Sequence, residues 1–156
     1  SMSSNQNLFH PPDFDSILQR IQNLNADAER KWGTMNVHQM VVHCSDPIRE
    51  VLGIRPTRNL SNLLLRTVGK WMALYGPEWQ KGKFPTSPDY DQLKKGTPPT
   101  TFESDREQLQ RLLEKVRELP LNHPMPAHPA FGKMSRKEWG RLGYRHLDHH
   151  LRQFNR

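Results

Sequence analysis

The stretch "SRKEWGRLGYRHLDHHLRQF", residues 135–154, reads as the last helix of the chain. It opens with a Ser-x-x-Glu capping box, a pattern that marks the start of a helix. Three histidines, His146, His149 and His150, crowd into five positions near its end. The direction in which each of them points decides whether this helix carries a site or only a polar face.

Helical geometry separates the three histidines. Because an α-helix turns about 100° per residue, His146 and His150 at i and i+4 project into or beside one apolar arc. The apolar side chains of that arc are Trp139, Leu147, Leu151 and Phe154. His149 projects about 60° to the opposite side, toward Arg145 and Arg152. We therefore predict that His146 and His150 face inward and that His149 lies at the margin.

Four further segments carry apolar residues at helical spacing. The predicted helices run from Asp13 to about Ala28, from near Asn36 to Gly53, from about Asn59 to Tyr75, and from Ser104 to just before Pro120. Their predicted caps are Asp13, the Asn36–Gln39 box and the Ser104–Glu107 box. Pro47 either kinks the second helix or begins a fresh one capped by Ser45 or Asp46.

The long connections contain no convincing strand and no repeat. The longer one, residues 76–102, is rich in proline and is typical of a lid, a surface strap or a disordered segment. The length of 156 residues suits one domain over residues 1–156, with residues 1–2 read as a tag remnant plus the start Met. The prediction is an all-α protein of four main helices plus an additional short one, joined by long crossovers.

Composition narrows the class of protein. No apolar run has membrane-spanning length and no signal pattern opens the chain, so we expect a cytoplasmic protein with no membrane partner. The net charge is +7 and the pI about 9.9, but basic residues are interspersed with acidic ones. We therefore expect no nucleic-acid partner. Cys44 is the single cysteine, which excludes an internal disulfide, and we expect it to be a small buried side chain.

An inward-facing histidine pair needs partners for its ring nitrogens. The pair is either a hydrogen-bonded core pair, an exposed polar stripe, or part of a metal site completed from elsewhere in the core. The candidate third ligand is His43, which borders the apolar arc of the second helix, whereas His38 projects to its far side. Three neutral histidines leave at least one coordination position open, which is typical of catalytic metal sites.

Two motifs together resemble a known superfamily. "WGTMNVHQMVVHC", from Trp32, and "HPAFGKMSRKEWGRLGYRHLDHHLRQF", from His128, resemble the DinB/YfiT-like superfamily of metalloenzymes. The similarity is greatest to a branch with a His-Pro-x-Phe-Gly element and a His-x-x-His-His-Leu-x-Gln-Phe ending. The resemblance implies a DinB-like four-helix bundle in which His43, His146 and His150 bind a divalent metal ion. It also implies a transferase or isomerase that uses a low-molecular-weight thiol.

These patterns define the functional hypotheses. The first is a metal-dependent enzyme, a thiol-dependent S-transferase acting on a small molecule. The alternatives are a metal-dependent hydrolase and a non-catalytic metal-binding bundle. Zinc or nickel is expected first, and three-histidine sites also suit iron and manganese.

Other polar residues are weaker candidates. His128 is either an acid, base or substrate contact at the mouth of the site, or a loop histidine that packs on Trp139 or faces solvent. Gln153 points close to the direction of His146. It either orients a ligand or forms a hydrogen bond within the bundle. Arg152, Arg145 and His149 are candidate contacts for an acidic substrate, with solvated charge as the alternative for the arginines.

The third predicted helix has apolar residues on more than one face. This pattern fits either burial under the long loop or a dimer surface, so the chain is expected to be a monomer or a homodimer.

Overall fold

The computed structural model describes residues 5–79, 90 and 94–156, and every regular element within these ranges is helical. The helices are α1 (Pro11–Gln22), α2 (Val37–Val51), α3 (Lys70–Tyr75), α4 (Phe102–Arg117) and α5 (Arg136–Gln153). A π-helical turn, Leu65–Gly69, leads directly into α3. The described residues contain no strand, only one isolated bridge in the loop before α5. The all-α prediction is thus confirmed.

The long connection is described only at its ends and at Tyr90. Residues 76–79 and 94–101 are irregular, as the sequence predicts. Phe102, the last residue of the loop predicted at 76–102, already belongs to α4. Residues 80–89 and 91–93 of that loop lie outside the described residues, and so does the tag remnant predicted at residues 1–2.

Two helices begin where the sequence places their capping boxes. In α2, the side chain of Asn36 accepts from the backbone N–H of Gln39, at 2.8 Å, and the Gln39 side chain accepts in return, at 2.9 Å. Ser135 and Glu138 form the same reciprocal pair at the start of α5, at 3.1 and 2.9 Å. Helix α2 continues unbroken through Pro47, so the alternative of a fresh helix at that residue is wrong.

The predicted bounds of the first helix are wrong. It begins at Pro11, with His10 at the N-cap, because proline suits a first turn whose N–H groups have no helical partner. Asp13 lies inside that turn and accepts from the backbone N–H of Asn7, at 3.0 Å. The helix ends at Gln22 rather than near Ala28, since Asn25 bonds to the backbone two residues on and favours a turn.

The predicted starts of the third and fourth helices are also wrong. Thr101 caps α4 by accepting from the backbone N–H of Ser104, at 3.3 Å, which places Ser104 inside the helix. The side chain of Asn62 accepts from the backbone N–H of Leu65, at 2.8 Å, so the helical backbone of the third segment begins after Asn62. Asn59 instead bonds to the backbone of its neighbour two residues on.

The helices bury one apolar core. Helix α2 packs against α4 and α5, α1 packs against α4 and α5, and α3 lies against α5. The most completely buried side chains include Ile17, Ile21, Val41, Leu112, Leu113 and Leu151. Within the described residues, no helix has the length and apolar character needed to cross a membrane. The contact between α2 and α5 brings the histidines of the two helices together.

Candidate metal centre

Three histidines meet where α2 and α5 pack. His43 comes from α2, and His146 and His150 come from successive turns of α5. His43 and His150 are buried and His146 is partly buried. One ring nitrogen from each lies within 4.8 Å of the others, and Nε2 of His43 is 3.2 Å from Nε2 of His146. The described structure thus gathers the three residues predicted as metal ligands.

A backbone carbonyl fixes the proton of His43. Its Nδ1 lies 2.8 Å from the carbonyl oxygen of Tyr90. Because a carbonyl oxygen only accepts, Nδ1 of His43 is the protonated donor and Nε2 carries the lone pair. That lone pair faces the nitrogen of His146, as a metal ligand requires.

A glutamine fixes the proton of His150. The Gln153 side-chain N–H donates to the carbonyl oxygen of Trp32, at 2.8 Å, which turns its oxygen toward Nδ1 of His150, at 3.0 Å. Nδ1 of His150 therefore donates and Nε2 is free to bind. Gly33 makes this contact possible, because a Cβ there would lie 2.2 Å from Nε2 of Gln153. Gln153 thus bonds both to a clustered histidine and to the backbone of Trp32. Its role in orienting a metal ligand stays a prediction.

The donor set fits a divalent metal ion. Two imidazole nitrogens at 2.0–2.1 Å from one tetrahedral ion are about 3.3 Å apart. The observed separation between His43 and His146 is 3.2 Å. The outer hydrogen bonds to Tyr90 and Gln153 are the kind that hold metal-binding imidazoles in one orientation. Imidazole nitrogens of this kind suit zinc, nickel, iron and copper more than calcium or magnesium.

Burial favours the neutral form of the two cluster histidines on α5. Desolvation lowers the pKa of His146 and of His150 well below the usual range for histidine, and neighbouring imidazoles lower it further. The hydrogen bond that His150 donates to Gln153 opposes this effect and raises the pKa of His150. A neutral imidazole is the form that binds a metal ion, so the site is prepared for one at neutral pH.

Two buried carboxylates behind His43 tie the long connection to α2. Glu50 accepts from the Tyr90 hydroxyl, at 2.8 Å, and from Arg55, at 2.9 Å. Burial raises the pKa of the Glu50 carboxyl, while these two partners lower it. Asp46 is fully buried and accepts from the backbone N–H of Thr97, at 3.0 Å. Tyr90, whose backbone orients His43, and Thr97 are thereby each anchored to α2.

Sequence reasoning missed this network. Asp46 and Glu50 lie one helical turn apart in a largely apolar helix, and that spacing is the signal that predicts a shared buried face. Nothing in the sequence points to Tyr90, because His43 is 47 residues away and bonds to its backbone oxygen.

His149 lies outside the cluster, as the helical wheel predicts. It is partly buried, and its ring lies 5.8 Å from Trp32, 5.7 Å from Trp79 and 5.2 Å from His150. Trp79 also lies 6.0 Å from His146. Trp32, Trp79 and His149 thus form a group of aromatic rings beside the histidine cluster, which we call the aromatic wall. Trp79 and His149 also line a small surface cavity.

The two arginines beside His149 differ. Arg152 forms ion pairs with Glu78, at 2.6 Å, and Asp148, at 3.0 Å. Arg145 is only 6% exposed, so reading it as solvated charge is wrong. Its guanidinium donates to the carbonyl oxygens of Gly76 and Pro77, at 2.8 and 3.0 Å. These bonds hold the end of α3 against α5.

His128 shapes the loop before α5. Its Nδ1 accepts from the backbone N–H groups of Ala130 and Phe131, at 3.0 and 3.1 Å. Its ring stacks on Phe131 and lies 5.3 Å from Trp139, which supports the packing alternative. Burial lowers the pKa of His128 to about 4. Because Nδ1 is already an acceptor for two donors, it is not available as a general base.

Cys44 is not part of the cluster. It is 1% exposed and contacts the sulfur of Met40, at 3.7 Å. Burial raises the pKa of its thiol far above the usual value, so the reactive thiolate form is disfavoured.

Helical packing and a buried three-histidine cluster define an all-α protein with a candidate metal centre. Residues 2–156 match the family described as "Protein of unknown function (DUF1569)". The chain belongs to this family. Searches of curated proteins and of solved structures found no match.

Proposed function

We propose that this protein is a divalent-metal-dependent enzyme whose ion is held by His43, His146 and His150. The observation that carries the proposal is the convergence of three imidazoles from two helices. Two of the three have fixed partners, Tyr90 and Gln153. A core histidine pair without a function would not need a third imidazole brought from another helix.

The ligand number favours catalysis over a structural role. Structural zinc sites close the tetrahedron with four protein ligands, whereas catalytic sites keep one position open. In the part of the chain that the structure describes, the cluster has three members and no carboxylate or thiolate. His146, next to Trp79 of the aromatic wall, is the partly exposed member. A small molecule would approach from this side.

The reaction that we propose first is the transfer of a group to or from a thiol. A divalent ion in this site supplies Lewis acidity, which favours the thiolate form of a coordinated thiol. We further propose that the fold is the DinB-like four-helix bundle, formed by α1, α2, α4 and α5, and that the enzyme is a thiol-dependent S-transferase. The motif order and the positions of the three histidines support this proposal. Zinc and nickel, which suit imidazole ligands, are the first metals to test.

Metal analysis tests the proposal. Elemental analysis of chelator-washed protein reloaded with zinc or nickel should give about one ion per chain. The His146→Ala/His150→Ala variant should give none, and the control His10→Ala/His123→Ala, with both histidines outside the cluster, should equal the parent. A parent that takes up neither metal would overturn the proposal.

Turnover assays then separate the classes of reaction. Loaded protein should transfer a group to or from a low-molecular-weight thiol, and the double histidine variant should not. Thiol-independent hydrolysis of ester or amide substrates would identify a metal-dependent hydrolase instead. Stoichiometric metal without any turnover, together with a fourth protein ligand seen by X-ray absorption, would favour the non-catalytic reading.

A further inference from the structure

Exposed apolar side chains are concentrated in one part of the surface. The described residues include nine large apolar side chains that are exposed, and eight of these lie between residues 54 and 75. The eight are Ile54, Leu60, Leu63, Leu64, Val68, Trp71, Met72 and Tyr75. The ninth, Leu121, stands apart in the loop after α4. Scattered exposed apolar residues are normal, but eight of them between residues 54 and 75 are a concentration typical of a binding surface.

Half of these exposed side chains lie on one face of a helix. Leu64, Val68, Trp71 and Tyr75 follow each other at spacings of four, three and four, which places them on one side. We call these four residues the apolar stripe. Leu74, about a quarter of a turn away from the apolar stripe on the same helix, is 1% exposed, so that side of the helix packs against the chain. The helix is therefore fixed to the body of the protein with its apolar stripe facing out.

Charged groups of the helix are held at its flanks. The Lys70 ammonium lies 3.0 Å from the carboxylate of Glu138, and Arg66 donates to the hydroxyl of Ser61, at 3.1 Å. The sequence from residue 51 to residue 77 contains no Asp or Glu and four basic residues, none of which belongs to the apolar stripe: Arg55, Arg58, Arg66 and Lys70. A surface depleted of charge at its centre is typical of the interface between identical subunits.

The area is sufficient for a stable dimer. Eight side chains exposed by 37% to 72% offer on the order of 800 Å², which is close to the roughly 800 Å² that each partner contributes to a standard interface. In a two-fold dimer the same patch meets itself, so an uncharged apolar stripe is self-complementary. We propose that the occupant of this surface is a second copy of the chain, with the two apolar stripes at the centre of the contact and the other four exposed apolar side chains adding to its area.

A lipid surface fits less well. Interfacial helices that bind membranes place a row of basic side chains beside the apolar face, free to meet anionic lipid. Here Lys70 pairs with Glu138, Arg66 bonds to Ser61 and Arg55 pairs with Glu50, so these three cations already have partners in the chain. Membrane binding is accordingly an outcome of the test rather than the proposal.

Sedimentation equilibrium tests the dimer. Over about 1 to about 100 µM protein, the parent should shift toward twice its 18.3 kDa chain mass. The Leu64→Glu/Val68→Glu variant puts like charges against each other across the two-fold axis and should weaken dimerisation by about 100-fold or more. Leu121→Glu, which adds the same charge at the isolated apolar residue, should dimerise like the parent. Trp71→Ala, which adds no charge, should also weaken the dimer.

Circular dichroism and zinc uptake keep the result interpretable. All variants should retain helical spectra and the parent's metal content, since the apolar stripe contains no metal ligand. A parent that is monomeric at the highest concentration would overturn the proposal, whether or not it binds phosphatidylglycerol vesicles. Undiminished dimerisation of both stripe variants would overturn it as well.

Discussion

At the scale of single residues, the candidate centre depends on which nitrogen of each histidine carries a proton. Tyr90 and Gln153 hold the protons of His43 and His150 on Nδ1, and both Nε2 lone pairs are thereby directed inward. The helical wheel of α5 was sufficient to predict the inward pair. The backbone oxygen of Tyr90 was not predictable, because any residue type presents the same carbonyl to its neighbours.

The first prediction distinguishes the two adjacent histidines of α5. His150→Ala removes a ligand, so zinc affinity should fall by more than the roughly 10- to 100-fold that loss of an outer hydrogen-bond partner costs. His149→Ala should leave the zinc affinity within about threefold of the parent's value, because His149 belongs to the aromatic wall and not to the three-histidine cluster. Competition with a chromophoric chelator measures both. Equal losses would contradict the geometry described for α5.

The hydroxyl of Tyr90 carries the second prediction. Tyr90→Phe takes a hydrogen bond from the buried Glu50 carboxylate, so unfolding free energy should fall by about 1–3 kcal/mol. Because the same residue holds His43 by its backbone, zinc affinity should fall too. Tyr75→Phe, at a half-exposed tyrosine, is the matched control. Chemical denaturation and zinc titration are the measurements, and unchanged zinc affinity in Tyr90→Phe would separate this network from the metal centre.

At the scale of elements, helix interiors were predictable and some helix starts were not. The boxes of α2 and α5 are local, since both partners lie within four residues and no tertiary contact decides between alternatives. At α4, Thr101 and Ser104 are both good caps, and the choice depends on burial. Capping at Thr101 places Phe102 in the first turn, where it is 8% exposed and packs into the core. That tertiary contact is not visible in a local pattern.

The third prediction tests this choice of cap. Thr101→Ala removes the acceptor for the backbone N–H of Ser104 and should cost about 1 kcal/mol of unfolding free energy. Ser104→Ala should change stability by less than about 0.5 kcal/mol, because alanine is favourable inside a helix. Urea denaturation of the two variants measures the difference. The reverse order would restore Ser104 as the cap.

At the scale of the whole molecule, the loop before α5 holds two parts of the chain together. The backbone N–H of Leu60 donates to the carbonyl oxygen of Pro129, at 2.8 Å. This bond attaches the residues that lead into the third helical segment to the loop. His128 keeps the loop in shape through its two backbone partners. Gly132 has a φ of +71°, and a Cβ there would lie 2.7 Å from Cδ of Arg66. The contacts within this loop therefore explain the His-Pro-x-Phe-Gly element by its structure, without a catalytic role.

That role makes stability depend on pH. Burial lowers the pKa of His128 to about 4 from its ordinary value of 6.5, so between these values the unfolded chain binds more protons than the folded one. The unfolding free energy should therefore be highest above pH 6.5 and fall as the pH is lowered toward 4. For this residue alone the fall is at most about 3 kcal/mol.

Substitution by asparagine isolates this contribution. The side-chain oxygen of His128→Asn can still accept backbone N–H groups in the loop but does not titrate in this range. Its unfolding free energy should therefore drop less steeply between pH 6.5 and 4 than that of the parent, while His10→Asn, at an exposed histidine, should follow the parent. Urea denaturation at half-unit pH steps gives the slope of unfolding free energy against pH for the parent and for the two variants. Titrating groups that all three proteins share contribute equally to the slopes and cancel in the comparison. Parallel slopes for His128→Asn and the parent would show that the loop tolerates a charged imidazole and that His128 is free to act in another role.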